Sequence, residues 1–284
     1  MPVTLSAGIR TALESIQDAA NAATTAQTRL ATGKKIATAV DGPLNYYTAA
    51  GLTNRASDLA GLQDSMTNAV KTVDAASAGI DGMTRLLQTA QGLASSAAAT
   101  SDMTSRASLL TQYNTVLKQV DEVMKNSGYN GINLLNGDKL NVKFDASSTT
   151  ATLGIQNMAT GALTANALGV VTAAAGAWTN GTPTAGTDTS GDAAIQTQLT
   201  NLTKALNSLR AEASGLGANG AIVKTRQDFT SAMISTLRSG ADALTLADVN
   251  EEGASLVSLN TRAQLAQTSL SLAAQREQAV LRLF

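Results

Sequence analysis

Enzymes and metal sites draw on a short list of side chains, and two of the most useful, His and Cys, are missing from all 284 residues of this chain. Their loss removes Cys/His metal centres, Cys-His nucleophiles and the Ser-His-Asp triad together. Only scattered charges are left to consider. Glu251 and Glu252 can be imagined as an acid and a base, but neighbours on a helix project about 100° apart. A place in a first helical turn, where carboxylates meet the positive end of the helix dipole, accounts for them better. Lys34 and Lys35 could touch a phosphate, yet directly after Gly33 they read as the cationic stop of a helix. Asn180-Gly181-Thr182 and Asn201-Leu202-Thr203 match a glycosylation triplet short enough to arise by chance. No catalytic, cofactor-binding or metal-ligating residue is assigned, and no cofactor is expected.

The bulk composition points to architecture instead. Hydrophobic residues make up 44% of the chain, enough for a core, while aromatics are 3% and charged residues 14%, against a usual quarter for the latter. Small side chains let helices approach closely, so long, tightly packed helices with few bulky anchors are expected. A net charge of −1, with both signs interspersed, gives no footprint for nucleic acid. No apolar run of about 20 residues is present, so membrane insertion is not expected. The opening Met-Pro-Val-Thr-Leu-Ser lacks a basic leader and an apolar block, so a conventional secretory signal is not expected either.

Spacing supplies the helices. Leu5, Ile9, Leu13, Ile16, Ala20, Ala23 and Leu30 keep helical intervals up to Gly33. A second helix is predicted from about Asn45 to Ala99, where Leu59, Leu62, Met66, Ala69, Val73 and onward to Ala97 alternate steps of three and four without a slip. Leu110, Tyr113, Leu117, Val120 and Met124 mark a third. Beyond the turn signals Asn130-Gly131 and Asn136-Gly137, Leu140, Val142 and Phe144, then Ala151, Leu153 and Ile155, alternate as a β-hairpin. From Met158 to about Gly191 the chain shows no period and reads as a small surface excursion. Ile195 to Leu216 restarts a helical seam, and Phe229, Met233, Leu237, Ala241 and Leu244 continue it in a changed register. Gly215, Gly217 and Gly220 between them fit either a local break or a close backbone approach.

The closing stretch from Asp248 carries apolar surface on two sides. Leu256, Leu259, Ala263, Ala266, Leu270, Ala273, Val280 and Phe284 form one row, and Leu265, Leu272 and Ala279 another, with Arg262 and Arg276 in the polar row between. A helix apolar on two sides needs more than one partner. The fold class expected is mainly α: a long antiparallel helical bundle or coiled coil with paired terminal helices and a small β-hairpin region. Residues 1–35 and 248–284 form an inner terminal-helix domain, 36–137 and 193–247 a helical rod, and 138–192 the hairpin with a short variable outer region.

Three ordered segments resemble bacterial flagellin. They are Arg29-Leu30-Ala31-Thr32-Gly33-Lys34-Lys35-Ile36, then Tyr129-Asn130-Gly131 with Leu134-Leu135, then Leu259-Asn260-Thr261-Arg262-Ala263-Gln264-Leu265-Ala266 with the ending Val280-Leu281-Arg282-Leu283-Phe284. The resemblance implies a structural subunit, not an enzyme, that self-assembles with other flagellin copies into the extracellular flagellar filament. It further implies export through the flagellar type III apparatus, which would account for the absent leader, and encounters with an export chaperone and with filament cap and junction proteins. The terminal arms would be loose in the free subunit and order on assembly. The subunit interface is then expected at Leu5, Ile9, Leu13, Ile16, Leu30, Leu256, Leu259, Leu265, Leu270, Leu272, Val280, Leu281 and Phe284. The alternatives are a hook-filament junction protein, which shares such arms, and, from another class, an intracellular coiled-coil scaffold or binding module.

Overall fold

A computed structural model describes residues 7–145, 152–155, 163–179 and 189–281 of the chain. Of Ala7, Thr152, Thr189, Ser190, Glu277, Ala279, Val280 and Leu281 only the backbone is described. In chain order the elements are α1 (Ala7–Thr32), α2 (Pro43–Ala99), α3 (Met103–Asn126), a short 3-10 turn (Leu134–Asn136), β1 (Leu140–Lys143), β2 (Thr152–Ile155), α4 (Thr189–Thr245) and α5 (Val249–Leu281). They fall into two compact units: one comprises the chain up to Ala56 and from Ile234 onward, the other Ser57–Met233.

The larger unit is a helical bundle with a densely filled core. On α2, Met66, Ala69, Val73, Ala76, Ile80, Met83, Leu87, Ala90, Ala94 and Ala97 are all buried, so the alternation read in the sequence is the seam of the folded helix. Asp102 starts α3 by accepting a 2.7 Å bond from the Ser105 amide, which satisfies a first-turn donor; hydrogen bonds from the Ser105 side chain and then its amide hold the Asp102 carboxyl below its ordinary range. After α3 the chain reverses tightly. Asn130 and Gly131 take positive φ values of 51° and 80°, while Tyr129 and Ile132 exchange both backbone hydrogen bonds, a two-residue hairpin turn of the kind Asn-Gly favours.

Asn133 then joins three elements. Its amide nitrogen donates to the Met124 and Lys125 carbonyls closing α3, its oxygen accepts from the Leu135 and Asn136 amides, and Asp138 receives its backbone N–H at 2.8 Å. That positions β1, which pairs antiparallel with β2 in the register Leu140↔Ile155 and Val142↔Leu153. Val142 and Ile155 point into the core, as alternation demands.

The tract expected to be a surface excursion is, in its described part, core. Leu163, Ala165, Leu168, Val170 and Trp178 are buried, and α3 holds the backbone by polar ties: Asp121 accepts from the Ala165 amide at 2.7 Å, and Asn114 exchanges bonds with both backbone groups of Ala173. Trp178 lies 5.0 Å from the Tyr113 ring. The Tyr113 hydroxyl donates to Gln198 of α4 at 3.0 Å, and burial raises the Tyr113 pKa. Arg106 reaches Asp192 in the first turn of α4. A Cβ on Gly191 would stand 2.8 Å from the Trp178 carbonyl oxygen, so only glycine permits that approach.

In α4 one open alternative is settled and one expectation is corrected. It is one continuous helix through Gly215, Gly217 and Gly220, and a Cβ at Gly220 would come within 3.2 Å of Val73, which is the close-approach alternative. Its seam does not change register. Ile195, Leu202, Leu209, Leu216, Val223, Thr230, Leu237 and Leu244 recur every seven residues as buried or half-buried positions, whereas Phe229 is 57% exposed. Thr230 and Gln227 occupy the seam where the sequence reading preferred a large apolar side chain, and Gln227 donates to Thr67 at 2.8 Å.

Candidate assembly interface

The smaller unit is built on α1 and α5, which pack along one another. Their direction is fixed at two points. Arg29 near the end of α1 pairs with Glu252 in the first turn of α5 at 3.0 Å, while Ala19 and Ala22, earlier in α1, border a groove with Leu259, one heptad further into α5. The helices therefore run antiparallel. Glu252, expected to serve only the helix dipole, has this specific partner; Glu251 is exposed.

The connectors clamp the same end. Lys35 and Ile36 donate to the Thr245 carbonyl at 2.8 and 3.2 Å, and Ala247 donates to Gly33 at 3.0 Å. Gly33 adopts φ 68° as the stop of α1. Lys34 and Lys35 keep their side chains exposed. In the loop that follows, the Asp41 carboxylate accepts from Ala37 N, Thr38 N and Thr38 Oγ1. These bonds hold its pKa below the usual carboxylate value. Asp248 caps α5 by accepting from the Asn250 amide at 2.8 Å.

Coverage differs around each helix. On α1 the covered row is Ile9, Ala12, Ile16, Ala19, Ala23, Ala26 and Leu30, all buried or half-buried. The sequence reading chose Leu13 and Ala20 in place of Ala12, Ala19 and Ala26; Leu13 is 42% exposed and Ala20 is exposed. Beside Ile9, Ile16 and Leu30, the positions that differ are filled by alanine, which lets the two antiparallel helices close together. On α5 the row Leu256, Leu259, Ala263, Ala266, Leu270 and Ala273 is half-buried. The other side is open: Leu265 is 64% and Leu272 60% exposed. Val257, which the periodicity argument did not select, is 67% exposed; its only signal was an apolar residue standing off the seam.

Of the expected interface residues, Ile9, Ile16, Leu30, Leu256, Leu259 and Leu270 thus lie on rows at least half covered within the chain, and Leu13, Leu265 and Leu272 on open surface. Leu5 and Phe284 fall outside the described residues, as do the side chains of Val280 and Leu281. Asn180-Gly181-Thr182 also lies outside, and Asn201-Leu202-Thr203 sits within α4 with Leu202 buried in the seam.

Such a surface is suited to association. Covering a leucine or valine fully is worth roughly 1.5–3 kcal/mol, and a row of them on one helix face is a surface for another protein. Among the described residues no helix is long and apolar enough to cross a membrane.

Comparison with known proteins gives a consistent set of matches. Residues 7–140 match the family described as the bacterial flagellin N-terminal helical region, and residues 199–284 the bacterial flagellin C-terminal helical region. Together they take in well over half of the chain. The chain is 29% identical to flagellin FljK of Caulobacter vibrioides over 283 residues, covering 99% of this chain and 98% of that protein. It is 27% identical to a flagellin of Brucella melitensis, covering 96% and 95%. A crystal structure of Bacillus cereus flagellin aligns with a TM-score of 0.46 at 16% identity, over 58% of this chain and 88% of that one.

Proposed function

The chain belongs to the bacterial flagellin family, it is a subunit of the flagellar filament, and we propose that the open faces of α1 and α5 are where its copies join. Flagellins are structural proteins, so what this chain must supply is contact and stiffness. The observation that carries the proposal is the unequal coverage of α5: one apolar row lies against α1 while Leu265 and Leu272, one heptad apart, stay in water.

An isolated pair of helices with its second side wet is marginal, since helical stability comes mostly from packing an apolar face. Neighbouring copies complete that packing, and the arms tighten as they do so, a coupling of ordering to association. Contacts that join different surfaces of successive copies do not close on themselves and grow an open helical polymer. The filament lies outside the cell, and the route there is the flagellar type III apparatus. An export chaperone and the cap and junction proteins are the other partners expected to meet the arms.

Seeded growth tests the assignment. Purified chains are added to short filament fragments, and elongation is followed by light scattering and electron microscopy. Leu272→Asp should abolish elongation, because an unpaired charge on a surface that becomes buried costs several kcal/mol, while the helical signal of the monomer stays unchanged. Normal elongation by this variant would remove the α5 face from the interface.

A further inference from the structure

We infer that a second, lateral contact between copies is formed by the exposed Phe229 of one chain entering a groove of the next, a deepening that rests on the filament reading above. The groove lies in the larger unit between α2 and α4. It encloses about 440 Å³ and is lined by Val70, Val73, Gly217, Gly220, Lys71 and Lys224 among others. The two glycines differ in what they do there. Gly220 is packed against Val73, whereas a Cβ at Gly217 would meet nothing within 4 Å. Intrachain packing is therefore tight at 220 and leaves 217 open, so the hollow above it is unfilled by the chain itself.

The same helix carries what fits. Phe229, 57% exposed, and Ile222, 46% exposed, are the most exposed large apolar side chains among the described residues of this unit. They stand one heptad apart and form a ridge on one face of α4. From Phe229 to Gly217 is twelve residues, which places them about 120° apart around the helix axis. Knob and groove thus face different directions, and a chain cannot fill its own groove with its own ridge. Joining the knob of one copy to the groove of the next is a heterologous contact, the kind that propagates without closing. Beyond the Lys71–Asp74 ion pair the groove wall keeps the cation Lys224; the knob is flanked by the exposed Asp228, which can pair with Lys224, and by Arg226.

Two substitutions test it in opposite ways. Phe229→Ala removes the knob. Gly217→Leu fills the groove from the chain's own helix without an intrachain clash, and replaces glycine by a better helix former, so the monomer should unfold no more easily than the parent. Each should raise the critical concentration for seeded elongation on the order of tenfold or more, as loss of a central apolar anchor does. Because the chain has no cysteine, Gly217→Cys and Thr225→Cys subunits can be co-polymerised and treated with a short bismaleimide. A crosslinked dimer abundant in the mixture and scarce in either population alone is the result expected. Unchanged critical concentrations for both variants, or no excess dimer in the mixture, overturn the inference while leaving the filament role intact. Failure of the parent chain itself to elongate seeds overturns the filament role, and this contact with it.

Discussion

The two compact units treat their apolar residues in opposite ways. In the larger one Met83, Leu87, Tyr113, Leu134, Leu135 and Trp178 are all fully buried, and polar side chains at the seam, such as Gln198 and Asn133, have partners. In the smaller one the intrachain contact mixes alanine with Ile9, Ile16, Leu30, Leu256, Leu259 and Leu270, while Leu13, Val257, Leu265 and Leu272 are exposed. Apart from Phe229 and Ile222, the large side chains of the α4 seam region are enclosed, whereas several on α1 and α5 stand open in the single chain. The contrast separates stability of the subunit from stability of the polymer, and it can be broken by substitutions that move the wrong one.

The largest effect on the subunit should come from Leu87→Ala. Truncating a fully buried leucine costs about 2–5 kcal/mol, visible as a lower midpoint of denaturant unfolding. Leu272→Ala, on the open side of α5, should shift that midpoint within about 0.5 kcal/mol; equal losses from both would erase the distinction. An effect between these two is expected from Arg29→Ala, whose partner Glu252 is mostly buried while Arg29 is about a third exposed. A pair of this kind contributes about 0.5–1 kcal/mol, so amide exchange in the first turns of α5 should quicken about two- to fivefold, with the larger unit unaffected.

The smallest effect concerns Asp41. Its folded-state pKa is depressed by hydrogen bonds from Thr38, so its contribution to the loop is complete above the unfolded value of about 3.9 and is lost as pH falls through the lower folded value. Amide protection at Ala37 and Thr38 should therefore decline on acidification below about pH 4. Asp41→Asn should flatten that decline without altering α3.

Much of this arrangement was legible from spacing. The α2 seam was read correctly because large and small apolar residues keep the three-four rhythm from Leu59 to Ala97. The turn at Asn130-Gly131 was readable because its geometry demands those residue types. The α4 reading slipped where polar Gln227 and Thr230 hold seam positions and an exposed Phe229 offers a more attractive false one. The same preference for bulk misplaced the α1 stripe, since Leu13 outranks Ala12 by hydrophobicity and loses to it by fit. The stretch from Leu163 to Trp178 carried no period to read: an irregular segment is buried one side chain at a time, through ties to Asn114 and Asp121 that lie some forty to sixty residues away. On α1 and α5, spacing found the second, open side of α5 but not which row of α1 the chain would cover for itself.

Trp178 gives the larger unit an optical signature. It is the single tryptophan of the chain, wholly enclosed beside Tyr113, and its indole N–H meets no acceptor among the described residues. Excited indole in such surroundings emits at short wavelength and shifts to the red when water reaches it. Nothing in α1 or α5 fluoresces at that wavelength, since neither contains a tryptophan. The colour of the emission therefore reads one unit alone: it should hold steady while the terminal helices fray or dock, and redden only when the α3 pocket itself comes apart.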